Sequence, residues 1–99
     1  MGFFDMLGKS MANMANDMLT TKVSEYRRIS KNEIEDLIPF INNKTEQACA
    51  IIAIAHHGDI YKAVSLAKEN NISKNFLTKF ATNRQWGEVI RRMIKEYDK

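Results

Sequence analysis

Residues 48–55 read Ala48-Cys49-Ala50-Ile51-Ile52-Ala53-Ile54-Ala55, a run of eight without a polar side chain. Thr45 and Glu46 precede it, and His56, His57, Gly58 and Asp59 follow it. The run is too short to span a bilayer, which takes about 20 apolar residues. A buried parallel strand is the competing reading of a short apolar run. Four alanines argue against the strand, because Ala is depleted in strands and is the best helix former. Ala48, Ala50, Ala53 and Ala55 are spread around every helical face. A helix apolar all round must be covered on most sides. The sequence therefore predicts a central helix over 45–57, started by Thr45 and ended by Gly58 in the left-handed conformation.

The 99 residues are enough for one domain with a modest core, and 44% hydrophobic residues is ordinary for a globular chain. One proline and four glycines are sparse punctuation for a β protein. The expected class is all-α, a compact single domain of five or six short helices in antiparallel hairpins around helix 45–57. The single cysteine, Cys49, lies inside the apolar run and reads as a small buried hydrophobe rather than a reactive thiol.

Asp5 and Lys9 interrupt the early apolar residues, so no cleavable signal peptide is expected. Met6 stands where a myristoylation pattern needs Ser or Thr. The expected location is the cytoplasm.

Phe4, Leu7, Met11, Met14 and Met18 recur at alternating spacings of three and four, one face of a helix over 3–19. Methionine packs adaptably, so this stripe suits either the chain's own core or a second protein, including another copy of the chain. With only Lys9 against Asp5 and Asp17, it does not suit a membrane surface. Residues 20–29 read equally as a continuation of that helix or as a linker.

Ser30-Lys31-Asn32-Glu33 is a capping box that opens a helix with inner face Ile34, Leu37, Ile38 and Ile41. Pro39 should break that helix near Ile38. Asp59 caps a further helix with inner face Ile60, Ala63, Val64 and Ala67, closed by Asn70-Asn71. Ser73 caps a short helix carrying Phe76, Leu77 and Phe80. From Asn83, residues Trp86, Val89, Ile90, Met93, Ile94 and Tyr97 give the cleanest amphipathic pattern in the chain.

The net charge is +3, and its distribution is uneven. From Ser73 onward seven bases against three acids leave +4, so the rest of the chain sums to −1. This basic last quarter suits an acidic protein surface, nucleic acid, or simply a solvated face. The partner-facing candidates are Arg84, Glu88, Arg91, Arg92 and Lys95, with Met11 and Met14 from the first helix.

Two local patterns compete over the second half. His57-Gly58-Asp59-Ile60-Tyr61-Lys62-Ala63-Val64 resembles the turn and second-helix start of tetratricopeptide repeats, with an echo at Arg84-Gln85-Trp86-Gly87-Glu88-Val89-Ile90. The resemblance covers residues 45–99 and departs from the family at Ile51, where a small residue is usual. It implies antiparallel helical hairpins that present surfaces to other proteins. Residues 63–82 alternatively fit a helix-turn-helix, with Asn71 in the turn and Lys74, Asn75, Thr78 and Lys79 facing a DNA groove.

No catalytic set stands out. His56 and His57 are adjacent, hence about 100° apart on a helix, and do not chelate one metal together. Neither a glycine-rich phosphate loop nor a zinc-protease motif is present, and the sequence calls for no cofactor. The expected function is a non-enzymatic module that masks another protein, with a DNA-binding regulator as the alternative.

Overall fold

Every residue from Ala48 to Ile54 is completely buried, and Ala55 is 2% exposed. This segment forms most of the central helix in a computed structural model that describes residues 16–99. Six helices occur among the described residues, with no strand. They are α1 (16–27), α2 (Lys31–Leu37), α3 (Lys44–His56), α4 (Ile60–Glu69), α5 (Lys74–Thr78) and α6 (Gly87–Tyr97), with a 3-10 turn at Ile38–Phe40. The expected all-α fold is found. Met11 and Met14 lie outside the described residues, as does most of the expected helix 3–19.

The caps explain where the helices begin. Ser30 accepts from the Glu33 amide, Asp59 from Lys62 and Ser73 from Phe76, each satisfying an orphan donor of a first turn. The cap of α3 is Asn43 rather than Thr45: Asn43 Oδ1 accepts from the Glu46 amide at 2.9 Å. Asn43 has the extended backbone that a cap needs, so the helix starts one residue early and Thr45 falls inside it. Gly58, at φ +105°, ends the hairpin turn after α3, and Asn71, at φ 59°, stands beyond α4. Pro39 sits in the 3-10 turn that stops α2 at Leu37.

Four elements cover α3. Helix α4 folds back on it across the His57–Asp59 turn, while α2 and α6 pack on other sides. Leu19 and Val23 of α1 join the same core, which is one continuous cluster. The alanines of α3, together with Ala63 and Ala67 of α4, keep side chains short where helices meet closely. Helix α1 runs through to residue 27, so residues 20–27 continue a helix and are not a linker. Its inward face is Leu19, Val23 and Tyr26; Met18, assigned to the stripe with Met14, is 37% exposed. Leu19, Val23 and Tyr26 are spaced by four and three, which turns Met18 away from the contact.

Helix α6 begins at Gly87, one turn later than Asn83 suggests. Asn83 instead organises the turn before it, its Oδ1 accepting from the amides of Gln85 at 3.0 Å and Trp86 at 2.8 Å. A Cβ on Gly87 would come within 2.8 Å of Ala81 O and 3.0 Å of Arg91 Nη1. Arg91 Nη1 donates to that same Ala81 oxygen at 2.6 Å. Gly87→Ala should therefore force the residue 79–86 loop off α6 and destabilise the domain by about 1–3 kcal/mol, measured by urea denaturation.

Candidate functional site

The most built-up surface is the groove between α4 and α6. Ile60, Ala63, Val64 and Ala67 of α4 face inward, which leaves Tyr61, Ser65 and Lys68 along its outer edge at i, i+4 and i+7. Val89, Ile90 and Met93 of α6 are buried, so Arg92, Lys95 and Glu96 line the opposite wall. The two helices run in the same direction, with Ile60 near Arg92 at one end and Lys68 near Tyr97 at the other.

Three depressions join end to end along this groove. One of about 300 Å³ lies between Gly58 and Gln85, Glu88 and Arg92. A smaller one of about 180 Å³ continues past Tyr61, Arg92 and Lys95. The last, about 490 Å³, is lined by Tyr61, Val64, Ser65, Lys68, Glu96 and Lys99. Tyr61 stands over the middle with 75% of its surface exposed.

Charge along the groove is mainly positive. Arg92 pairs with Glu88 at 3.1 Å, and Lys99 pairs with Glu96 at 3.1 Å. The Lys68 ammonium lies 5.2 Å from the centre of the Tyr97 ring, a cation–π distance. Lys95 is exposed and meets no carboxylate among the described residues. Surface pairs of this kind contribute little to stability, so both cations and carboxylates are available to a partner.

The partner-facing candidates in and just before α6 separate in space. Glu88, Arg92 and Lys95 line the groove. Arg91 holds the Ala81 carbonyl instead, and Arg84 lines a separate depression with Asn16, Asp17 and Thr20. Tyr61 and Lys68 were not singled out from the sequence. Their spacing on the face opposite Ala63 and Ala67 was the available signal.

Of the candidate DNA-facing residues, Lys74, Asn75 and Thr78 sit on a helix of five residues, about one and a half turns, and Lys79 is its C-cap. Helix α5 packs on α6. Lys74 pairs with Asp98, Thr78 Oγ1 donates to Lys74 O at 2.8 Å, and Lys79 lies 5.6 Å from the Phe76 ring centre. Asn75 is exposed.

Each histidine has one ring nitrogen engaged by the chain itself. His56 Nδ1 accepts from Arg27 Nε at 2.6 Å, its ring edge-on to Trp86 at 4.7 Å, and His57 Nε2 lies 3.0 Å from Ile29 O. The two rings tie the end of α1 to the end of α3. No cluster of three or more His, Cys, Asp or Glu among the described residues is placed to hold a metal. Burial pushes the Cys49 thiol up to about 12, which keeps it protonated and unreactive. Lys31 and Asp59 pair at 2.8 Å across α2 and α4; the hydrogen bond raises the lysine and lowers the carboxyl.

Burial first, then the Arg27 and His57 charges, hold His56 below its ordinary 6.5. The unfolded chain then binds the proton more readily, so stability rises with pH. The Arg27–His56 contribution is fully present above pH 6.5 and is lost as pH falls from there through the lower folded value. The melting temperature should drop on acidification through this window. His56→Asn, which keeps an acceptor near Arg27 but does not titrate, should flatten the drop in a pH series of thermal melts.

Fold and groove together define a small helical bundle with a basic, aromatic-bearing cleft. No protein-family model, curated protein or solved structure matches the chain. In the α3–α4 turn Gly58 is left-handed at φ +105° and Ala63 is buried, which makes an antiparallel hairpin there. No helix among the described residues is long and apolar enough to cross a membrane.

Proposed function

We propose that the chain is a non-enzymatic protein-binding module of the cytoplasm that masks or inhibits a partner protein, as an inhibitor, a toxin antidote or immunity protein, or a small adaptor. The observation that carries this reading is Tyr61, 75% exposed beside Lys68 and Lys95 in a groove with basic walls. Tyrosine and arginine are the residues on which binding energy concentrates in protein interfaces, and surrounding charge steers a partner of opposite sign. An acidic protein surface is the complement. The buried, protonated Cys49, which offers no nucleophile, is consistent with a non-enzymatic role.

The rival reading is a helix-turn-helix regulator using residues 63–82, with Lys74, Asn75, Thr78 and Lys79 on DNA. Affinity capture from the source cells, run beside a nucleic-acid gel shift, separates the two. We expect a protein retained by the wild type and lost with Tyr61→Ala combined with Lys95→Glu. A sequence-selective shift that falls steeply with salt, and that weakens in Lys79→Ala, would replace this reading with the rival.

A further inference from the structure

The outer face of α2 and of the 3-10 turn that follows it carries a second surface that neither the core nor the groove uses. Glu33, Asp36, Leu37 and Phe40 follow one another at i, i+3, i+4 and i+7, and all four are exposed. Phe40 is 80% exposed and Leu37 42%, while Ile34 and Ile38 on the other side are buried against the core. Large apolar side chains exposed together mark an interaction surface more often than isolated ones do. Among the described residues neither Glu33 nor Asp36 meets a cation, the one ion pair of α2 being Lys31 with Asp59. The result is a ridge of two carboxylates and two apolar side chains.

The α4–α6 groove has the opposite net character: Lys68, Arg92, Lys95 and Lys99 outnumber Glu88 and Glu96, an exposed aromatic ring stands in the middle, and Val64 makes an apolar floor. Because the ridge faces solvent in the folded chain, it does not fill its own groove. We propose that the groove receives the α2 ridge of a second copy of this chain, with Glu33 and Asp36 against Lys68 and Lys95, and Phe40 against Tyr61. The inference rests on the groove being a protein-docking surface. The contact is head-to-tail, so an open assembly keeps one free ridge at one end and one free groove at the other unless it closes. Self-pairing then covers the groove at high concentration and exposes it on dilution. A masking protein held this way is released for its partner as its own concentration falls.

Sedimentation velocity over a concentration series tests this. The wild type should rise above its monomer mass of 11.4 kDa as concentration increases, and return to it at high salt, where exposed charges are screened. A ridge-reversed variant, Glu33→Lys with Asp36→Lys, should stay monomeric. So should a groove-reversed variant, Lys68→Glu with Lys95→Glu. An equimolar mixture of the two should associate again, because each ridge then meets a groove of opposite sign. Circular dichroism of each variant checks that it is folded, and restoration in the mixture excludes misfolding as the cause of the loss. A fluorescent peptide of alternating Glu and Phe is the probe for the groove alone. A wild-type monomer that binds the peptide through Lys68 and Lys95 overturns self-pairing and leaves the docking surface standing. A wild-type monomer that does not bind it overturns both. Association that persists unchanged in both reversed variants overturns the ridge-in-groove contact.

Discussion

Ile51→Asp should leave the chain unfolded at room temperature, and Ile54→Asp should do the same. Both side chains are completely buried on α3, with α2, α4 and α6 packed around the helix. Losing a buried Ile costs about 2–5 kcal/mol even when Ala replaces it. A carboxylate at the same point adds the cost of an unpaired charge in an apolar interior. No basic side chain belongs to the buried cluster that could offset it. The sum is comparable to the whole stability of a small domain, about 5–15 kcal/mol. Far-UV circular dichroism should show lost helix and no cooperative melt. Ile51→Val, which removes one methylene, should stay folded with a loss of about 0.5–1.5 kcal/mol. A wild-type melting temperature for either Asp variant would mean that α3 is not the centre of the fold.

The second large effect is expected at Asn83, the one buried polar residue among those described. Its Nδ2 donates to Asn16 Oδ1 at 2.8 Å and Thr20 Oγ1 at 2.9 Å, while its Oδ1 holds the Gln85 and Trp86 amides. Trp86 Nε1 donates to Thr20 O at 3.1 Å in the same cluster. One side chain thus joins α1 to the turn before α6. Asn83→Ala removes all four of its bonds and leaves the buried Trp86 amide without that acceptor. Each such bond contributes about 1 kcal/mol and an unsatisfied buried donor costs about 1–3 kcal/mol. A loss of about 3–4 kcal/mol is expected from urea denaturation. Trp86 is the only tryptophan, so its fluorescence should also move to the red as α1 loosens. Thr20→Val breaks one of the Asn83 bonds together with the exposed bond from Thr20 Oγ1 to Asn16 O, and should cost about 1–2 kcal/mol. Equal effects of the two substitutions would show that Asn83 does not hold α1.

Several features were legible because they are local. An eight-residue apolar run rich in alanine has one stable placement, surrounded by other helices, and α3 occupies it. Ser30, Asp59, Ser73 and Gly58 act through groups three residues away or through their own backbone angle, so their roles follow from sequence spacing. The inward face of α6 follows from helical periodicity in the same way. Asn43 and Thr45 show the limit of that reading: both are good caps, and backbone angle alone decides between them.

The site was only partly legible. Periodicity marks Arg91, Arg92 and Lys95 as outward, but it does not say what lies beside them. The 79–86 loop passes one flank of α6, so Arg91 is consumed by Ala81 O while Arg92 and Lys95 face α4. Adjacent helical positions point about 100° apart, and the neighbour on each side decides which cation is structural and which is left for a partner. Tyr61 and Lys68 gain their meaning the same way, from α6 lying alongside α4. The amino-acid sequence by itself determined the buried run of α3 and the inward faces of α4 and α6, because burial depends on the helical period and on side-chain polarity; Leu37, expected on the inner face of α2, and Met18 are instead 42% and 37% exposed, because no neighbouring element covers them. Which exposed residues share one groove was decided only by tertiary structure, because that depends on how residues more than twenty positions apart are brought side by side.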